Sequence, residues 1–131
     1  MVKFGGAKKV MINPESKKIY RKFCDEEKFF PRYIDLFHFA AAIGIRLGKR
    51  RGLGERTEEF VNVYSIDQED VFETLLKELH PEADGVKRLK LLEEYAEAGI
   101  RILKERYDRD KKIDIEEIIR ELESHKDVLS V

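Results

Sequence analysis

The segment from Arg32 to Leu47 constrains the fold more than any other part of the chain. In Tyr33-Ile-Asp-Leu-Phe-His-Phe-Ala-Ala-Ala-Ile-Gly-Ile45, apolar residues occupy nearly every side of a helix between Leu36 and Ile45. A helix at a protein surface carries one apolar stripe, whereas one that is apolar all round has to be enclosed by protein. Because 40% of the chain is charged, this helix is expected at the centre of the core or of a dimer. Ala40, Ala41, Ala42 and Gly44 carry so little side chain that another backbone can approach closely. The apolar run is about half the ~20 residues that a bilayer span requires, so no membrane role is expected.

The rest of the chain reads as elements that wrap this helix. A length of 131 residues fits one domain, which can bury roughly two-thirds of the surface exposed by its unfolded chain. Residues 8–13 alternate apolar and polar side chains as a short strand does. Asn13-Pro14-Glu15 then opens a helix that runs to about Cys24, with asparagine as the cap and proline in the first turn. Phe60 to Tyr64 reads as a second strand, after which Ser65-Ile-Asp-Gln68 has the form of a capping box. The helix it would open carries Val71, Phe72, Leu75, Leu76 and Leu79, and His80-Pro81 stops it. The longest helix spans about Gly85 to Tyr107, with Val86, Leu89, Leu92, Ala96, Gly99, Ile100 and Leu103 on one stripe. Gly99 inside it costs about 1 kcal/mol relative to alanine, which implies close packing there. Asp114-Ile-Glu-Glu117 begins a last helix, with Ile115, Ile118, Ile119 and Leu122 facing inward. The expected fold is mainly α, a helical domain of about five helices with one or two short strands. Residues 8–48 also have the strand-helix-helix order of a ribbon-helix-helix module, in which two subunits pair their strands and the second helix forms the dimer core.

No motif for chemistry survives inspection. Cysteine occurs once, at Cys24, so neither a disulfide framework nor a Cys-based zinc site is available, as suits the cytoplasm. The first nine residues lack the apolar run of a signal peptide. Gly44-Ile-Arg-Leu-Gly-Lys49 is one residue short of a phosphate loop, has no Ser or Thr after the lysine, and lies at the wrong end of a helix. Asp108 to Asp114 echoes a calcium loop but puts Lys112, Ile113 and Ile119 where ligands and glycine belong. Glu78, His80, Glu82 and Asp84 read as a solvated acidic turn, and His38, His80 and His125 form no ligand motif. Asp25 and Glu26 beside Cys24 would raise its thiol pKa, the reverse of an activated nucleophile. His38 reads as a hydrogen-bonded core histidine. Neither an enzyme nor a cofactor or metal site is expected.

Charge supplies the remaining signal. The chain carries a net −1, yet residues 1–58 hold 14 Lys and Arg against 7 Asp and Glu, a net of +7, and residues 59–131 hold 12 against 20, a net of −8. Two such poles fit a polyanion-binding face, or halves that attract each other or a neighbouring subunit. The basic end of the apolar helix, Arg46-Leu-Gly-Lys-Arg-Arg-Gly-Leu-Gly-Glu-Arg56, is glycine-rich and reads as a flexible loop. Arg46, Lys49, Arg50, Arg51 and Arg56 are therefore candidate contacts to nucleic acid phosphates, which glycine-flanked cations can follow without sequence preference. Lys9 and Asn13 on the strand face, and the amides near Arg32 at a helix start, would extend that surface. The alternative is a protein-interaction adaptor or oligomerisation module, a dimer among others, that never touches nucleic acid. The abundance of Lys, Arg and Glu with few amides is also the composition of proteins from hot habitats.

Two stretches resemble a known family: Phe39-Ala-Ala-Ala-Ile-Gly-Ile-Arg-Leu-Gly-Lys-Arg-Arg-Gly-Leu-Gly54 and Leu92-Glu-Glu-Tyr-Ala-Glu-Ala-Gly-Ile-Arg-Ile-Leu-Lys104. Together they are similar to the small accessory proteins of DNA phosphorothioation (Dnd) systems called Dnd system-associated protein 4, over roughly residues 10 to 107. The resemblance implies defence against foreign DNA through sulfur modification of its backbone, with DNA or other defence-system proteins as partners. It carries over no catalytic residue.

Overall fold

The longest helix is the axis on which the other elements are laid. In a computed structural model that describes the backbone from Lys3 to Leu129 and side chains as far as Ser124, this helix, α5, runs Gly85–Asp110. His125 lies outside the residues whose side chains are described. Asp84 caps α5 by accepting from the Lys87 amide at 2.8 Å. The chain opens with a turn at Lys3–Gly6 that packs on the start of α5, where a Cβ on Gly85 would stand 2.4 Å from the Gly5 nitrogen.

The apolar segment forms α2, Tyr33–Leu47, and α5 is its main partner. The two backbones meet at their small residues. A Cβ on Gly44 would stand 2.1 Å from the Tyr95 carbonyl oxygen, and one on Gly99 would stand 1.8 Å from that of Ala40. Both glycines are thus required by the approach, as their positions in the sequence suggested. Ala40 and Ala41 are buried at the crossing, while Ala42 faces outward. Gly48 ends α2 in the left-handed conformation, φ 65°, which is costly for a residue with a Cβ.

The first strand, β1 (Lys9–Ile12), pairs antiparallel with β2 (Glu58–Asn62), Lys9 opposite Asn62 and Ile12 opposite Glu58, with an irregularity between Val10 and Met11. A ribbon-helix-helix arrangement of residues 8–48 needs the strand of a second subunit. Here β1 finds its partner within the chain. The helix α1, Pro14–Arg21, starts as expected at Asn13, whose side chain accepts from the Glu15 and Ser16 amides. It then widens into a π-helical turn at Lys22–Glu26.

The expected capping box is not the one that forms. The strand ends at Asn62, the chain turns through a single helical turn, α3 (Val63–Ile66), and α4 begins only at Val71 and runs to Leu79. Asp67, only 3% exposed, supplies the cap instead: its carboxylate accepts from the Phe72 amide at 2.8 Å and the Glu73 amide at 2.9 Å. Two amides on one buried carboxylate outweigh what a surface serine offers. Finally α6, Ile115–Leu129, lies beside α2, where Arg46 donates to the Leu122 carbonyl at 3.0 Å. Ile118 is buried, but Ile119 at 42% and Val86 at 61% exposure point outward, against the inward faces read from periodicity. The helices number six among the described residues, the five expected and α3.

Candidate functional site

The basic loop between α2 and β2 is held along α5 by backbone as much as by charge. The Arg51 amide donates to the Glu94 carbonyl at 3.0 Å. Asn13 reaches across to donate from Nδ2 to the Leu53 carbonyl at 2.8 Å, which ties the loop to the start of α1. Arg50 lies 3.5 Å from the Glu94 carboxylate with its guanidinium over the Tyr95 ring. These anchors leave a cleft of about 570 Å³ between the loop, β1 and α5, with Lys9, Met11, Gly52, Leu53, Lys90 and Glu93 among its walls.

Glu93 lines this cleft. It is 8% exposed, and its Oε2 accepts from the Met11 amide at 2.7 Å. Burial pushes its carboxyl up to about 7, reinforced by Glu94 and opposed by the Met11 amide and Lys90. One turn along, Glu97 accepts from the Ser16 hydroxyl at 2.7 Å and from Arg101 Nε at 2.9 Å. Arg101 also donates to Asn13 Oδ1 at 3.3 Å. Glu97 Oε1 is buried and has no partner among the described residues. Both glutamates border a small void of about 10 Å³, close to the smallest space that holds one water.

The residues expected to meet a polyanion are distributed unevenly around this cleft. Lys9, Lys49, Arg51 and Arg56 are exposed and make no ion pair with any described carboxylate. Arg50 is shared with Glu94. Asn13 is occupied by capping α1 and by the loop, and Arg46 by the Leu122 carbonyl. Arg32 is clamped on Asp35 at 2.9 and 3.1 Å and borders a different recess of about 450 Å³, shared with His38, Asp67 and Phe72. Lys9, Asn13, Arg50 and Arg51 are thus gathered on the loop, β1 and the adjacent helix start, and Arg32 is not.

The family model described as DNA sulphur modification system-associated protein 4 matches residues 9–129. The chain belongs to that family. No curated protein and no solved structure matches it. The matched span of this Dnd-associated family runs from β1 to α6, so the loop, β1 and the glutamates of α5 all fall within it.

The glutamates are the part of the site that sequence reasoning missed. Their signal was present: Glu93 and Glu97 lie one helical turn apart within Leu91-Leu92-Glu93-Glu94-Tyr95-Ala96-Glu97-Ala98, on a helix that apolar neighbours would bury. In this family member the remaining titratable groups of interest have structural partners. His38 Nε2 lies 2.7 Å from the Ile66 carbonyl and His80 Nε2 lies 2.7 Å from the Tyr95 hydroxyl. The Cys24 thiol is buried and pushed up to about 11 by that burial, with Asp25 and Asp35 adding to it; the direction is the one expected, with Asp35 in place of Glu26. Among the described residues no three His, Cys, Asp or Glu side chains are placed to share a metal ion, and no helix is long and apolar enough to cross a membrane.

Proposed function

We propose that this member of the Dnd-associated family is a non-enzymatic accessory protein that contacts the DNA backbone through its basic glycine-arginine loop. The observation that carries the reading is the state of the cations. Lys9, Lys49, Arg51 and Arg56 are exposed and without a carboxylate partner among the described residues, on a loop held by backbone hydrogen bonds and on the strand beside it. Cations not already neutralised can release the counterions of a nucleic acid, and a loop with several such side chains can follow phosphates without reading bases. The family description, which places its members beside a DNA modification system, supports DNA as the polyanion.

The test is duplex DNA binding at several salt concentrations, comparing wild type with Lys49, Arg50 and Arg51 all replaced by alanine. The slope of log affinity against log salt should fall by about 0.9 for each lost phosphate contact. Arg50, already on Glu94, should contribute least. An unchanged slope rejects the loop as the contact.

A second reading, a protein-interaction module that makes no nucleic-acid contact, draws on a different observation. Val71, Leu75 and Leu79 form an exposed apolar stripe along α4, spaced one turn apart. Such a stripe suits another protein, a second copy or a partner from the same defence system. Salt-sensitive self-association in light scattering, with no affinity for DNA, would favour it.

A further inference from the structure

The cleft under the loop has a wall chemistry that duplex phosphates do not explain. Glu93 brings a carboxyl group that gives a phosphate nothing to pair with, while Met11, Leu53, Val86 and Leu89 give the cleft apolar sides. Lys9 and Lys90 border it, and Gly52, Leu53 and Gly54 of the loop form its opposite wall. Resting on the loop reading above, we propose that this cleft receives a single unpaired nucleotide, with the base between the apolar walls and against Glu93 and the phosphate on Lys9 and Lys90. The preferred DNA is then one with a single-stranded end.

Two features support this occupant. The volume, about 570 Å³, falls in the range of roughly 300–1,000 Å³ typical of pockets for small organic groups. Glu93 has one oxygen on the Met11 amide, and Oε1 accepts nothing from the described residues. That oxygen is therefore free to accept from a ligand. Carboxylates accept from the exocyclic amino group of cytosine, and extruded bases are held between apolar side chains with their pairing edge hydrogen-bonded. Gly52 adds nothing to the mouth of the cleft, since a Cβ there would have no atom within 4 Å. The same openness leaves room for a large side chain at that position, on a residue that lines the cleft.

The experiment uses the full chain and three labelled DNAs of equal length, read by fluorescence anisotropy: a blunt duplex, a duplex with a short dC overhang, and one with a dT overhang. Wild type is expected to bind the dC overhang about tenfold more tightly than the blunt duplex, and more tightly than the dT overhang, which offers no exocyclic amino group. Glu93→Ala and Gly52→Phe should each bring the dC overhang down to the level that the same variant shows for the blunt duplex. Glu93→Ala removes the acceptor of the Met11 amide, so Gly52→Phe, which touches no hydrogen bond, decides the matter if the first variant does not fold. Equal binding of the three DNAs by wild type overturns this proposal and leaves the loop reading standing. A dC preference that persists in Gly52→Phe also overturns it. Absence of binding to any of them overturns both.

Discussion

Replacing Gly99 by alanine places a methyl group where the Ala40 carbonyl now lies. The added carbon would stand 1.8 Å from the Ala40 oxygen and 2.6 Å from its carbonyl carbon. The obstruction is backbone, so no rotamer change can relieve it. Helices α2 and α5 would have to separate by roughly 1 Å before the contact reached the 3.0 Å minimum of real structures. That separation loosens packing along the most extensive helix pair of the fold. Overpacking a core costs about 1–3 kcal/mol, and a clash with rigid backbone belongs at the upper end. Alanine returns about 1 kcal/mol of helix propensity, leaving a net loss of about 2 kcal/mol. Urea unfolding should show a lower midpoint with an unchanged slope. Gly44→Ala, with its Cβ 2.1 Å from the Tyr95 oxygen, should behave alike. Because one separation of the helices relieves both clashes, the double variant should lose less than the sum of the two. A Gly99→Ala protein as stable as wild type, or more so, would refute the crossing.

Two further outcomes follow from the buried carboxylates, beside the two binding experiments described above. The rise of Glu93 from 4.5 to about 7 means that the native state keeps a proton that the unfolded chain releases, so stability should fall as pH rises between those values and level off above. The full difference is about 3 kcal/mol. Glu93→Gln, which does not ionise, should lose this dependence, and parallel stability curves for the two proteins between pH 5 and 7.5 would contradict it. Asp67→Ala strips the acceptor from the Phe72 and Glu73 amides and should cost about 1–2 kcal/mol, seen as a lower thermal midpoint and faster amide exchange in the first turn of α4. Unchanged exchange there would show that Asp67 is not the cap.

The opposite charges of the two halves become specific contacts in the fold. Lys3 meets Asp70 and Arg50 meets Glu94. Part of the basic excess of residues 1–58 is therefore spent inside the molecule. Of the cations left exposed and without an ion pair among the described residues, Lys9, Lys49, Arg51 and Arg56 lie on the loop and β1, and others, Arg21 and Lys28 among them, lie elsewhere; Arg32 is taken up by Asp35.

Local pattern alone determined the helices α1, α2, α5 and α6, the Asn13 cap, the αL end of α2 at Gly48, and the tight approach at Gly44 and Gly99. Each depends on side chains within a few residues of one another, or on the absence of a side chain. Only the tertiary structure decided how those elements use their neighbours. The start of α4 moved because a buried Asp67 caps it, and β1 pairs with β2 across the span of α1 and α2. Glu93 and Glu97 turn inward because α1, β1 and the loop close over the face of α5 that carries them. A glutamate on a long helix is written the same way whether water or a strand covers it; what covers it is fixed by contacts far apart in the chain.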